Sequence, residues 1–268
     1  MSTVQEICSW LDRYAPPDLA EDWDNTGLLL GRENAEAVRL MTCLTLTADV
    51  VKEAVDRSVQ LVVTHHPLMF RGTKKITDAT VEGRCLLKLI EAGVAVYSPH
   101  TRFDSAADGI NQQLAVDFGL EQIQPLRSDE FRADVGQGRW GMLPVGVSLA
   151  DFLHRVQAVC RAQYLEYCGH PTAVVRKVAV ACGAAGEFLA DAQRLSCDVF
   201  VTGEGRFHAA LEARETGVAL VFVGHYASER PAVERLADLL SERFPRVDAF
   251  ASEVERDPLQ IFDGRVNG

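Results

Sequence analysis

Apolar positions along this chain follow two alternating periods. Val4, Ile7, Leu11 and Tyr14 recur at helical spacing, which predicts an amphipathic first helix. From residue 38 the pattern predicts a strand over 38–47, a helix over 48–58, a strand over 59–64, a helix over 80–92 and a strand over 94–98. Residues 120–147 are polar, glycine-rich and weakly patterned. A helix is predicted over 149–162, with Leu149, Phe152, Leu153, Val156 and Val159 inward, and a helix over 230–243 and a strand over 247–252 close the chain. Strands alternating with helices mark an α/β architecture with sheets flanked by helices.

The pattern also repeats. Residues 178–204 align without a gap on 40–66, so Thr202-Gly203-Glu204 falls on Thr64-His65-His66. Residues 216–229 resemble 92–104 with one extra position, which lays His225 on His100 and Glu229 on Asp104. The expectation is an internal duplication: a first lobe over 1–122, a second over 123–268, and a site between them fed by the carboxyl ends of strands.

Those strand ends carry the chemistry. His65 and His66 close one strand, HTRFD (100–104) follows another, and HYASE (225–229) follows a third. Imidazole nitrogens and carboxylate oxygens are the usual donors to divalent first-row metals. Adjacent strand residues point to opposite faces, so both histidines reach one site only if Pro67 breaks the strand; otherwise one is a ligand and the other packs or faces solvent. In each H-x-x-x-acid segment the spacing would bring histidine and carboxylate to one face of a helical turn, and in a loop after the strand it still lets both converge. Glu229, with two oxygens, is the candidate bridge between two ions, and Asp104 a terminal ligand or, instead, a helix N-cap. His100 is a ligand, a structural residue or, the preferred reading, an acid–base or orienting group. Glu204 and His208 are candidates for substrate contact.

Weaker signals surround these. In WDNTGLLLG (23–31), Asp24 and Asn25 either reach a site or form a turn. ACGAAG (181–186) is a tight strand-to-helix turn or an anion seat. His154 and His170 receive no role. The chain has no Walker A sequence, no G-x-S-x-G elbow and no H-E-x-x-H helix.

Composition narrows the classes. A hydrophobic content of 47% over 268 residues suits a packed core, and a net charge of −11 disfavours a nucleic-acid surface while favouring cation attraction. The N-terminal segment lacks the basic start and apolar core of a signal peptide. No apolar run approaches the roughly 20 residues that span a bilayer. Seven cysteines without a C-x-x-C pair fit a reduced, cytoplasmic setting.

Five stretches carry a family resemblance: AEDWDNTGLLLG (20–31), LVVTHHPLMF (61–70), YSPHTRFDSAADGIN (97–111), DVFVTGEGRFH (198–208) and VGHYASERPAVERLADLL (223–240). In this order they resemble the NIF-three-like (Ngg-interacting factor-like) family, whose bacterial members are called GTP cyclohydrolase type 2 homologues and include the YbgI type. The resemblance implies a compact two-lobed subunit in a toroidal hexamer with dinuclear metal centres facing the central cavity. It implies that His66 and Asp104 bind one ion, His65 and His225 the other, with Glu229 bridging. Two positions depart from the family pattern: Thr45 stands where an aspartate is usual, and Asp257-Pro258 where Asn-Pro is usual.

The expected activity is that of a metal-dependent hydrolase holding two divalent ions per subunit (Zn, Mn, Fe, Co or Ni). A water shared by the ions would attack a small-molecule substrate, with His100 or Glu204 managing protons. Opening a purine ring, as in GTP cyclohydrolase chemistry, or cleaving a phosphoester would suit it. The alternative is a non-enzymatic metal-binding adaptor or metal-handling ring.

Overall fold

The computed structural model describes residues 2–129 and 132–262. Thr3 caps the first helix, α1 (Val4–Tyr14), through a reciprocal pair with Glu6, and a short strand before it, β1 (Ser2–Thr3), pairs with β3 (Glu36–Ala37). β2 (Gly27–Leu30), β4 (Arg39–Cys43), β5 (Leu61–Thr64) and β6 (Ala95–Ser98) belong to a five-stranded sheet of order β13-β4-β5-β6-β2, whose last member in the chain is β13 (Asp248–Ala251). β4, β5 and β6 run parallel, joined by α2 (Ala48–Asp56) and α3 (Val81–Glu91), which Thr47 and Thr80 cap.

Two further helices follow β6: α4 (His100–Ser105) and α5 (Ile110–Asp117). The second sheet has the order β7-β8-β10-β11-β12-β9, from β7 (Glu121–Ser128), β8 (Gly136–Ser148), β9 (Glu166–Cys168), β10 (Val174–Ala181), β11 (Val199–Thr202) and β12 (Ala219–Phe222). Here β10, β11 and β12 are the parallel trio. α6 (Leu149–Cys160), α7 (Leu189–Arg194) and α8 (Phe207–Thr216) connect these strands, and α9 (His225–Arg243) follows β12.

The period-two alternation of the strands sorts the core. Leu61 and Val63 of β5, with Val178, Val180, Val199 and Val201 of the second sheet, join one large cluster together with α1, α5, α6 and α9 residues. Their neighbours face the other way: Val62 packs with Val50, Val51, Cys85 and Leu89, and Ala179 and Phe200 with Leu189, Ala192 and Ala213. The central strands are therefore apolar on both faces, as parallel strands covered by helices must be. No helix among the described residues is long and apolar enough to cross a membrane.

Two expectations change. The weakly patterned stretch 120–147 is largely an antiparallel hairpin of β7 and β8. Only Leu126 and Leu143 of the hairpin join the core clusters, while Gly136, Gly138, Arg139 and Gly141 take up other buried positions, so the hydrophobic alternation is weak. Arg139, fully buried, donates to the carbonyls of Gly136, Gly138 and Ala106. Burial lowers its pKa to about 10. It thereby ties the hairpin to the residue after α4. The last helix also begins at His225 instead of residue 230, which puts HYASE inside it.

Candidate metal centre

β5 ends at Thr64, and the chain bends through His65 and His66 before Pro67. The His65 and His66 amides still bond the carbonyls of Cys43 and Leu44, and Thr64 Oγ1 donates to the His66 carbonyl at 3.0 Å. This bend defeats strand alternation: the two rings lie 5.1 Å apart and lean toward the same site. Asp104 arrives on α4, and His225 and Glu229 arrive one turn apart on α9. All five side chains singled out in the sequence come together.

Their separations define two groups around one carboxylate. His66 Nε2, His225 Nε2 and Glu229 Oε2 form a triangle with edges of 3.2, 3.2 and 3.3 Å. Metal–ligand bonds of ~2.0–2.1 Å at a tetrahedral ion put neighbouring donor atoms about 3.3 Å apart. The other oxygen, Glu229 Oε1, lies 3.8 Å from His65 Nε2, which is 3.6 Å from Asp104 Oδ1. The geometry thus groups His66 with His225 and His65 with Asp104, the reverse of the pairing the family resemblance implied. The bend sets this, because it turns His66 toward α9 and leaves His65 beneath α4.

Hydrogen bonds to the outer ring nitrogens prepare two of the three histidines. Thr45 Oγ1 is 2.7 Å from His66 Nδ1, and Glu204 Oε1 is 2.8 Å from His225 Nδ1. The Glu204 carboxylate accepts the His225 Nδ1–H, and Thr45 accepts from His66 in the tautomer whose Nε2 lone pair points inward. His65 is different: at 2% exposure, neither ring nitrogen finds a hydrogen-bond partner among the described residues. An unsatisfied buried polar group costs ~1–3 kcal/mol. A neutral imidazole with a free lone pair beside two carboxylates matches the donor set of a divalent cation, and His66, His225 and Glu229, or His65, His66 and His100, gather closely enough to hold one.

The electrostatics agree. Burial pushes the His65 pKa well down, so it stays neutral. Burial and the neighbouring Glu229 charge raise Asp104, whereas Glu229, despite burial, is held far below the carboxylate range by its hydrogen bonds with His225 and His66. The Glu229 hydrogen bond lifts His225 to about 9. Two carboxylates and three imidazoles in this space make up a donor set suited to divalent cations. Cys182, whose thiol pKa burial and these carboxylates raise well above normal, donates its S–H to Asp104 Oδ1 at 3.2 Å.

The remaining candidates are distributed as follows. His100 Nδ1 bonds Asp24 Oδ1 at 2.7 Å, and Asp24 also accepts from Thr101. Burial opposes charge on His100, but Asp24 and the nearby carboxylates prevail and raise its pKa. His100 sits at φ +36°, a strained conformation for a residue other than glycine. Glu204 is an orienting partner of His225 and does not line the cavity; nor does His208, whose exposed ring sits beside Phe207. Asp104 lies inside α4, and α5 is capped by Gly109 without a side-chain bond, so Asp104 is not an N-cap. A cavity of about 480 Å³ opens over the group, lined by His66, His100, Asp104, His225 and Glu229 at one end and by Trp23 and Phe70 at another.

Gly183, in the ACGAAG turn, was legible only as a turn residue. It has φ +65°, and a Cβ there would lie 2.4 Å from Glu229 Oε1 and 3.5 Å from His225 Nε2. The backbone approaches the carboxylate too closely for any side chain. Gly183→Ala is therefore expected to swing Glu229 and weaken metal binding by about 100-fold, at the upper end of effects on groups that support ligands. Calorimetric metal titration checks this, and parental affinity in the variant would remove the steric argument.

Comparison with known proteins places the chain in a family. The family model described as Duf34/NIF3 (NGG1p interacting factor 3) matches residues 2–258. The chain is 32% identical over 231 residues to a protein of Clostridium acetobutylicum named GTP cyclohydrolase 1 type 2 homolog, covering 86% of each. It is 32% identical over 262 residues to the Protein NIF3 homolog of Schizosaccharomyces pombe, covering 91% of this chain and 92% of that one. The crystal structure of the Staphylococcus aureus hypothetical protein SA1388 superposes with a TM-score of 0.89 at 26% identity, over 97% of this chain and 99% of the other. With a match from residue 2 to residue 258 and a fold in common, this chain belongs to the Duf34/NIF3 family.

Proposed function

We propose that the protein is a metal-dependent hydrolase with two divalent ions per subunit. His66, His225 and Glu229 would hold one, and His65 and Asp104, with the same Glu229 carboxylate, would hold the other. The observation that carries this reading is the buried Glu229 carboxylate, whose two oxygens face two different donor groups. When bound, the ions supply Lewis acidity that polarises the centre under attack and acidifies water.

The chain's own residues supply the rest. Thr45 and Glu204 hold His66 and His225 in the ligating tautomer. Asp24 orients His100 and keeps a proton on it, so that His100 presents an acid to the cavity for the leaving atom. Glu204, paired with His225, positions rather than transfers. Substrates consistent with this site are a nitrogen heterocycle opened by water, in line with the name of the Clostridium acetobutylicum relative, and a phosphoester. A ring of such subunits is part of this reading; exposed Val145 and Val174, on neighbouring strands β8 and β10, are positions at which a subunit contact would cover apolar surface.

The test is elemental analysis of gently purified protein followed by turnover of GTP and a phosphoester panel with the native ion. About two ions per subunit and a kcat that chelation abolishes are expected. Full occupancy with no product from any substrate would replace the hydrolase with a metal-handling protein.

A further inference from the structure

The cavity above the metal centre has an aromatic end that the proposed chemistry leaves unexplained. Trp23 and Phe70 line it, yet are 57% and 49% exposed. Their ring centroids are 5.6 Å apart, and His100 stands edge-on to both, at 6.0 and 6.3 Å. His100 in turn lies 5.3 Å from the His65 ring and 5.8 Å from the His66 ring. The aromatic pair and the metal ligands are thus one histidine apart.

The pair is also held in place. Trp23, Asp24 and Asn25 are consecutive, and each serves the cavity: Trp23 offers its ring, Asp24 fixes His100, and Asn25 Nδ2 donates to the Met69 carbonyl at 2.6 Å, next to Phe70. Two large rings kept side by side and left open to a cavity form a stacking surface, because every planar heterocycle has a π-face to offer.

Beyond Phe70 the chain carries Arg71, Lys74 and Lys75, all exposed, and among the described residues none has an ion-pair partner. On a chain of net charge −11, three unpaired cations in five positions make a local reversal of sign. They lie outside the cavity lining, in the loop that leaves its aromatic end. Arg127 does line the cavity, but it is paired with Asp191 at 2.7 Å and stacked 4.0 Å over Phe188.

We infer that Trp23 and Phe70 form a cradle for a planar heteroaromatic ring, which sits beside the metal centre while its anionic, phosphate-type substituent points outward to Arg71, Lys74 and Lys75. This deepens the hydrolase reading and rests on it. With the ring inward, its own bonds lie nearer the centre than the phosphate bonds do, which selects ring hydrolysis over phosphoester cleavage.

Calorimetric titration of the metal-loaded protein with guanosine monophosphate, guanosine and ribose phosphate tests this, with ions counted on the same samples. Guanosine monophosphate should bind tightest, and ribose phosphate at least about tenfold more weakly. Trp23→Ala should weaken guanosine monophosphate and guanosine alike, by about tenfold, without loss of ions. Phe70→Leu should act in the same direction. Replacing Arg71, Lys74 and Lys75 with alanine should weaken guanosine monophosphate alone, and added salt should shrink the difference. Ribose phosphate binding as tightly as guanosine monophosphate, or an ion-loaded Trp23→Ala protein with parental affinity, overturns the cradle. So does an ion-loaded parent that binds none of the probes. A parent without ions counts instead against the metal centre, so the two failures are separable.

Discussion

Glu229→Ala is expected to empty the centre: metal content falls from about two ions per subunit to below one, and turnover drops by about 10³-fold or more. The size of the effect follows from the geometry. Glu229 Oε2 stands 3.2 Å from both His66 Nε2 and His225 Nε2, while Oε1 faces His65 and, beyond it, Asp104. Removing this one side chain takes a donor from both groups. It also removes the negative charge that holds His225 up at about 9, but the three imidazoles remain close together and now repel when protonated. Glu229→Gln separates charge from volume: it fills the same space yet cannot offer two anionic oxygens, so it should fail nearly as completely. Atomic absorption and steady-state kinetics on both variants, with a thermal melt to confirm folding, provide the check. A Glu229→Ala protein with parental ion content and kcat would sink the dinuclear hydrolase.

The residues in that argument were legible in the sequence for a specific reason. Few side chain types bind divalent metals, and a histidine at the end of an apolar strand is conspicuous. The residues that make the ligands competent are of common types and arrive from elsewhere in the chain. Thr45 was visible only as an unusual residue, yet its hydroxyl bonds His66 Nδ1 from across a βα turn. Gly183 was read as a turn residue; its actual constraint is the absence of a Cβ against Glu229, which only the packed fold reveals. The start of the last helix was misplaced because Pro231 reads as a first-turn residue, whereas the helix begins at His225 and carries Pro231 in its second turn. The hairpin of β7 and β8 escaped because hydrogen-bonded Arg139 and close-packed glycines occupy positions where alternation would show valine or leucine. Parallel strands with aliphatic residues on both faces were plain by contrast, since burial there leaves no other composition.

Glu255→Ala is expected to cost about 3 kcal/mol of stability, the low end for breaking a buried ion pair, because Arg230 keeps Glu234 at 3.1 Å and the Ser252 carbonyl. Glu255 is 5% exposed and Arg230 is 6% exposed, with Arg230 Nη1 donating to Glu255 Oε2 at 2.5 Å. The same carboxylate accepts the Leu44 amide at 2.8 Å and the Thr45 amide at 2.6 Å, so its loss strands three donors. Arg230 follows Glu229 on α9, and Thr45 holds His66. Glu255 therefore fastens, from the C-terminal segment, the two stretches that carry opposite sides of the His66–His225–Glu229 triangle. Its removal should weaken metal binding by about tenfold as well as lower the denaturation midpoint. Arg230→Met combined with Glu255→Ala distinguishes the two effects. Removing both charges should recover part of the stability, because no buried guanidinium is left without its buried carboxylate. It should not recover metal affinity, because the Leu44 and Thr45 amides still lack their acceptor. Urea denaturation of chelated protein measures the first quantity, and calorimetric titration with metal the second. A Glu255→Ala protein that unfolds at the parental midpoint would show that water replaces the carboxylate at no cost, and the C-terminal segment would then be no part of what holds the centre together.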